Sequence, residues 1–172
     1  MRKILIPAVL AAFAAAGAAR AEIVHINPTK SFIAQAVTVP AGSDMIYVSG
    51  LTPDPVAPPA AGAQPQFGDT KAQAISVLGK IKKTLEDQGY SLSDVVMMRV
   101  LLVGDPAKGG TMDFAGMMEG YNSFYGSLEN KPARITSQVV ALARPGLLVE
   151  IEAQAAKAPA KPAMAKAPAK KK

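Results

Sequence analysis

The chain has 172 residues, no Cys and a single His, which excludes thiol catalysis and disulfide bonds and makes a structural zinc site unexpected. Nine of the 19 basic residues lie near the ends, three before residue 22 and six from residue 157 onward. Residues 22–156 therefore carry ten basic and 13 acidic residues, a net charge of −3. This central segment has no electrostatic basis for binding nucleic acid.

The two ends differ in composition from the segment between them. Residues 1–21 combine a basic start, an apolar run and a closing Ala19-Arg20-Ala21, which is the pattern of a secretory signal peptide. We therefore expect an exported protein, periplasmic or secreted; a membrane anchor is the weaker alternative, because the run is short and contains Pro7. Residues 157–172 use only Ala, Lys, Pro and one Met, which predicts a disordered tail. Such a tail is either a solubilising appendage or a weak contact for anionic surfaces.

The first half of the central segment predicts three short strands and one long helix. The strands are expected at 23–27, 32–39 and 45–49. The connection at 52–68 contains five prolines and no periodicity, which is typical of a mobile loop or of one that borders a site. Asp69 is expected to cap a helix that runs to about Gln88, because apolar residues recur there at helical spacing and Gly89 follows.

The second half predicts a central strand, a second helix and two further strands. Residues 95–103 are almost wholly apolar, as expected of a strand that is covered on both faces. Thr111 is expected to cap a helix with one apolar face. Strands at 134–142 and 147–155 are expected to form an antiparallel hairpin, joined by a turn at 143–146.

The resulting order is β-β-β-α-β-α-β-β, which predicts an α+β fold with two helices on one face of a mixed sheet. The other face keeps apolar groups, such as one alternating set within 95–103. Because an uncovered apolar sheet face needs a partner, we expect an oligomer, and a closed ring in which the sheets pack together is a natural arrangement.

The residues able to perform chemistry are few, and the most informative ones fall in the last two predicted strands. Arg134 offers a planar set of donors suited to a carboxylate, and Glu150 could hold or activate water. Glu150 and Glu152 share a strand face because side chains at i and i+2 point the same way. From spacing alone a structural ion pair on the sheet is the favoured interpretation, with a functional site as the alternative. His25 is expected to be a surface or strand-edge residue.

Several motifs are shared with a known family. Residues 131–142 read Lys-Pro-Ala-Arg-Ile-Thr-Ser-Gln-Val-Val-Ala-Leu, and residues 148–155 read Leu-Val-Glu-Ile-Glu-Ala-Gln-Ala. This pair closely resembles the closing signature of the Rid family, also called YjgF/YER057c/UK114. The resemblance covers about residues 23–155, including Met45-Ile-Tyr-Val-Ser-Gly and the helix at 69–89.

The resemblance implies a chorismate-mutase-like (YjgF-like) fold and a homotrimer with an inner β-barrel, with the sites in clefts between subunits. It also implies a cofactor-independent and metal-independent imine deaminase that hydrolyses 2-imino acids to 2-oxo acids and ammonia. In this reading Arg134 grips the substrate carboxylate and Glu150 positions or activates the water. Ile33, Ser49, Gly50 and Met118 would also contact the substrate.

Three positions depart from the family pattern. Ile33 stands where the family commonly has a pocket Tyr, Met118 where it often has Asn, and Thr136 where it often has Cys. Loss of a hydroxyl and an amide makes the pocket more apolar, which favours a bulkier ligand or weakens the orientation of water. The alternative function is therefore a non-catalytic exported module that binds a small carboxylate or an apolar metabolite.

Overall fold

The computed structural model describes residues 22–27 and 31–159. The predicted signal peptide and residues 160–172 of the predicted tail lie outside the described residues. Among the helices that are described, none combines the length and apolar character that a membrane span needs.

The described elements follow the predicted order β-β-β-α-β-α-β-β, and the α+β fold is confirmed. Short 3-10 turns at Leu92–Asp94 and Pro106–Lys108 flank the fourth strand. The strands and helices are β1 (Val24–Ile26), β2 (Ala36–Thr38), β3 (Asp44–Leu51), α1 (Thr70–Asp87), β4 (Val95–Val103), α2 (Phe114–Tyr125), β5 (Ala133–Val139) and β6 (Val149–Lys157).

A mixed four-stranded sheet has the order β3-β6-β4-β5, and β1 pairs with β2 in a separate small sheet. β6 runs antiparallel to both β3 and β4, whereas β5 runs parallel to β4. The predicted hairpin between the last two strands is therefore wrong, because β4 lies between β5 and β6. α2 connects β4 to β5 as a crossover, which is how neighbouring parallel strands are joined.

Both helices lie on one face of the sheet, as predicted. The core joins the apolar stripe of α1 (for example Leu78 and Ile81) to residues of α2, β4 and β6. Asp69 caps α1 as expected, since its Oδ1 accepts a hydrogen bond of 2.8 Å from the amide of Ala72. The expected cap of α2 is wrong, because Asp113 caps this helix through the amide of Gly116.

The opposite side of the sheet, called here the open face, carries no element of the described chain. Side chains alternate along β6, so that Val149, Ile151 and Ala153 are buried in the core whereas Glu150 and Glu152 face the other way. Large apolar side chains lie exposed there, with Tyr47 70% and Ile135 49% exposed. Exposed apolar side chains that lie together on a sheet face are typical of a protein contact surface.

Candidate functional site

Arg134 lies on the helix-covered face of β5, near the start of the strand. Its Cζ atom lies 4.4 Å from the centre of the Tyr121 ring, and its Nη2 lies 3.1 Å from the Met118 sulfur. Nη1 is buried and has no hydrogen-bond partner among the described residues. Burial lowers the pKa of Arg134, with Tyr121 acting in the opposite direction. The guanidinium is thus held by a ring and a thioether, and no carboxylate of the described residues forms an ion pair with it.

The position of this arginine follows from the geometry of α2. Met118 and Tyr121 are three residues apart, so both face the sheet on one side of the helix. The Tyr121 hydroxyl donates a hydrogen bond of 3.0 Å to the Phe32 carbonyl, and its ring stacks on Tyr125 at 4.6 Å. Burial raises the pKa of Tyr121 to about 12, with Arg134 acting in the opposite direction. The Tyr121 ring, which supports the guanidinium, is therefore fixed at its edge by this hydrogen bond and on its other face by Tyr125.

The segment around Ile33 reaches the same place. Ala34 forms a parallel bridge with Ala133, and its amide donates a hydrogen bond of 2.9 Å to the Pro132 carbonyl. The backbone of Ile33 therefore runs beside the start of β5. Of the residues predicted to contact substrate, Arg134, Met118 and Ile33 gather on this side of the sheet. They are called here the arginine group.

Two further side chains belong to this environment, although neither was predicted from the sequence to contact the substrate. Tyr121 supports the guanidinium and would have been found by extending the helical spacing from Met118. Thr136 lies on the same strand face as Arg134, and its hydroxyl is also buried without a hydrogen-bond partner among the described residues. Two unpaired donors thus occur two residues apart on one strand face.

Glu150 lies with Ser49 and Gly50, and the three are called here the glutamate group. The pairing of β3 with β6 is irregular between Val48 and Leu51, so Ser49 and Gly50 occupy a bulge. A Cβ added at Gly50 would collide with the Glu150 carboxylate, which shows how closely this side chain covers the glycine. Ser49 lines a neighbouring pocket of about 180 Å³. Within the described chain the Glu150 side chain forms no ion pair.

The two groups lie on opposite faces of the sheet. Arg134 is paired with Met98 of β4, whereas Glu150 is paired with Leu101 of the same strand. Met98 and Leu101 are three residues apart, so their side chains point to opposite faces. The ion pair expected between Arg134 and a glutamate of the last strand is therefore wrong, and the ion pair found on the open face joins Arg99 to Glu152 at 3.0 Å.

The remaining side chains considered for catalysis or metal binding are His25 and the acidic residues. His25 lies on β1, where its Nδ1 is 2.7 Å from the Lys131 carbonyl oxygen. In the part of the chain that is described, no three His, Asp or Glu side chains are placed to hold a metal ion.

Comparisons with known proteins place this geometry in a family. The family model described as Endoribonuclease L-PSP matches residues 23–157. A RutC family protein of Pyrococcus horikoshii is 43% identical over 90 residues, which is 52% of this chain and 64% of that protein. The chain thus spans slightly less than two thirds of this relative.

Solved structures agree with this assignment. A Rid-family protein of unknown function from Yersinia pestis is 28% identical with a TM-score of 0.59, covering 77% of this chain and 97% of its own. TdcF of Escherichia coli, solved with bound serine, is 30% identical with a TM-score of 0.52, covering 70% and 85%. The match over nearly all the described residues and the shared fold show that this chain belongs to the Rid (YjgF/YER057c/UK114) family.

Proposed function

We propose that this protein is a cofactor-independent deaminase that hydrolyses 2-imino acids to 2-oxo acids and ammonia. The observation that carries the proposal is the state of Arg134. Among the described residues this partly buried cation has no carboxylate partner, and its Nη1 has no hydrogen-bond partner. This state favours an anionic ligand, since a desolvated charge is costly until it is paired. A planar guanidinium suits the carboxylate of an imino acid.

The second half of the proposal is that the working site joins two copies of the chain. Arg134 and Glu150 lie on opposite faces of one sheet, so one copy cannot present both to the same small substrate. The exposed apolar side chains of the open face favour packing of this face against another copy. A ring of three copies, as the family resemblance implies, brings the arginine group of one copy to the glutamate group of the next.

The chemistry needs only water and proton transfer. Water adds to C2 of the substrate while the electron pair of the C=N bond moves to nitrogen. Glu150 takes a proton from the water and delivers it to the nitrogen. Glu150 then takes the hydroxyl proton of this adduct and delivers it to the amino nitrogen, so that the C=O bond forms as the C–N bond breaks and ammonia leaves. Arg134 holds the carboxylate throughout, which fixes C2 relative to the water.

Relatives support a small ligand rather than a nucleic acid. TdcF is 30% identical to this chain and was solved with serine, which carries an α-carboxylate as an imino acid does. The family description names an endoribonuclease, but RNA binding relies on basic surface. Residues 22–156 have a net charge of −3, and the arginine group has a single cation.

The proposal is tested by ammonia release from 2-imino acids generated in the assay by an amino acid oxidase. We expect the purified full chain to accelerate the release and Arg134→Gln to remove most of that acceleration. Lys82→Gln is the control, because it removes one charge from an exposed pair with Glu86 on α1. Equal rates with and without the wild-type protein would reject the activity.

A second function is favoured by the contacts of the arginine. One guanidinium nitrogen of Arg134 donates a hydrogen bond to the Met118 sulfur, and the Tyr121 hydroxyl donates one to a backbone carbonyl. The arginine group therefore offers no acid or base of its own. Such a site suits a module that binds a small carboxylate without turnover. Calorimetric binding of a 2-oxo acid that depends on Arg134, without accelerated imine hydrolysis, would identify this function.

A further inference from the structure

A second cleft lies away from both groups. It has a volume of about 430 Å³ and is formed by the end of the proline-rich connection, the turn before β6 and the start of the second 3-10 turn. No member of the arginine or glutamate group lines it. Its volume lies within the range of small-molecule sites.

The walls of this cleft are fixed by one buried side chain. Gln73 of α1 is fully buried, and its amide nitrogen donates hydrogen bonds to the carbonyls of Gly68 at 3.0 Å and Gly146 at 2.9 Å. Its amide oxygen accepts hydrogen bonds from the amides of Leu148 at 2.7 Å and Val149 at 3.3 Å. Because this one amide holds the connection and the turn together, the cleft is formed before any ligand arrives.

The lining is apolar with neutral polar groups. Its apolar side chains are Phe67, Pro65, Pro106, Pro145 and Leu148, and two glutamines supply amides. No acidic residue lines the cleft. Its proline and phenylalanine rings offer flat apolar surfaces to the body of a ring-containing ligand.

One cation lies at the edge of this surface. The Arg144 guanidinium lies over the Phe67 ring, with its Cζ 6.0 Å from the ring centre. Within residues 22–27 and 31–159 it forms no ion pair, and it is exposed. A free guanidinium beside an apolar cleft is suited to a carboxylate carried by an apolar group.

We propose that this cleft is a second binding site, which takes a small aromatic carboxylate. The ring lies among the prolines and Phe67, and the carboxylate pairs with Arg144. The site is independent of the deaminase proposal, since it shares no residue with the arginine or glutamate group.

The test uses phenylacetate as the probe and the uncharged phenylacetamide as its matched control. Amide signals of the isotope-labelled full chain are followed by NMR during titration. We expect saturable shifts for the amides of Phe67, Gly146 and Leu148 with phenylacetate. Loss of one charge-assisted contact in Arg144→Gln should weaken binding about tenfold. Phenylacetamide should bind the wild type about as weakly as phenylacetate binds that variant.

Arg134→Gln separates this site from the proposed active site. The shifts around Phe67 should persist in that variant with an unchanged dissociation constant. Absence of saturable shifts in the cleft would overturn the proposal, as would equal binding of phenylacetate and phenylacetamide. Shifts that disappear in Arg134→Gln but survive in Arg144→Gln would overturn it as well, since they would assign the probe to the other site.

Discussion

Two inactive variants should restore activity when their chains are mixed. Arg134→Ala removes the proposed carboxylate anchor but keeps Glu150, whereas Glu150→Gln removes the proposed base but keeps Arg134. Because the two residues lie on opposite faces of one sheet, each site of the proposed ring would take them from different copies. A mixed ring therefore contains sites in which an intact Arg134 meets an intact Glu150.

The expected gain in activity follows from the fraction of sites in a mixed ring that keep both residues. In a random ring made from equal amounts of the two variants, a site is intact when the copy giving the arginine is the Glu150 variant and its neighbour is the Arg134 variant. Each condition holds half the time, so about one quarter of the sites regain both groups. Loss of a charged contact of about 3 kcal/mol lowers the activity of the Arg134 variant on the order of a hundredfold, and loss of a general base lowers that of the Glu150 variant by about as much. The mixture should therefore exceed either parent by roughly 25-fold.

The assay follows formation of 2-oxo acid after the two variants are unfolded together and refolded. Native mass spectrometry of chains carrying tags of different mass confirms that mixed rings have formed. Mixed rings whose activity stays at the average of the two parents would refute the assignment of the two residues to one intersubunit site.

Three further predictions concern individual side chains. Gly50→Ala should leave the melting temperature nearly unchanged but lower kcat, because the added methyl must displace the flexible end of the Glu150 side chain. An unchanged kcat would count against a catalytic role of the Glu150 carboxylate. Lys131→Met should lower the free energy of unfolding, measured by urea titration, by about 2–3 kcal/mol. The reason is that the buried ammonium donates hydrogen bonds to carbonyls at the end of α2. A loss below about 0.5 kcal/mol would contradict this. Burial raises the pKa of Tyr121 from 10.0 to about 12 and that of Tyr125 further. The stabilising contribution of both is complete below pH 10; that of Tyr121 is lost as the pH rises through about 12, and that of Tyr125 at higher pH. Tyrosinate absorbance should therefore show two tyrosines ionising together with alkaline unfolding, and early ionisation of all four would refute the burial argument.

Sequence patterns predicted where the strands and helices lie better than they predicted which strands pair. Apolar spacing located α1, and the almost wholly apolar run at 95–103 located β4 as a central strand. The pairing of β5 failed because two strands close in sequence, with a turn between them, were read as a hairpin. The connection from residue 140 to 148 is too long for a tight hairpin turn, and the strand-helix-strand order β4-α2-β5 indicates a parallel pair instead.

The residues of the candidate site were likewise predicted better than their spatial arrangement. Arg134, Met118 and Ile33 were associated through motif resemblance, and these residues do lie on one side of the sheet. The separation from Glu150 was not predictable from spacing, because it depends on β4 standing between the two strands and setting which residues share a face. One register relation therefore decides whether a site is complete within one chain.

A sheet with the arginine on one face and the glutamate on the other also ties the proposed activity to concentration. Dilution below the dissociation constant of the ring would separate the two halves of every site without unfolding any chain. Specific activity should then fall with decreasing protein concentration while circular dichroism stays constant. If the protein is exported, as residues 1–21 predict, the volume into which it is released would thereby set the fraction that is assembled and active.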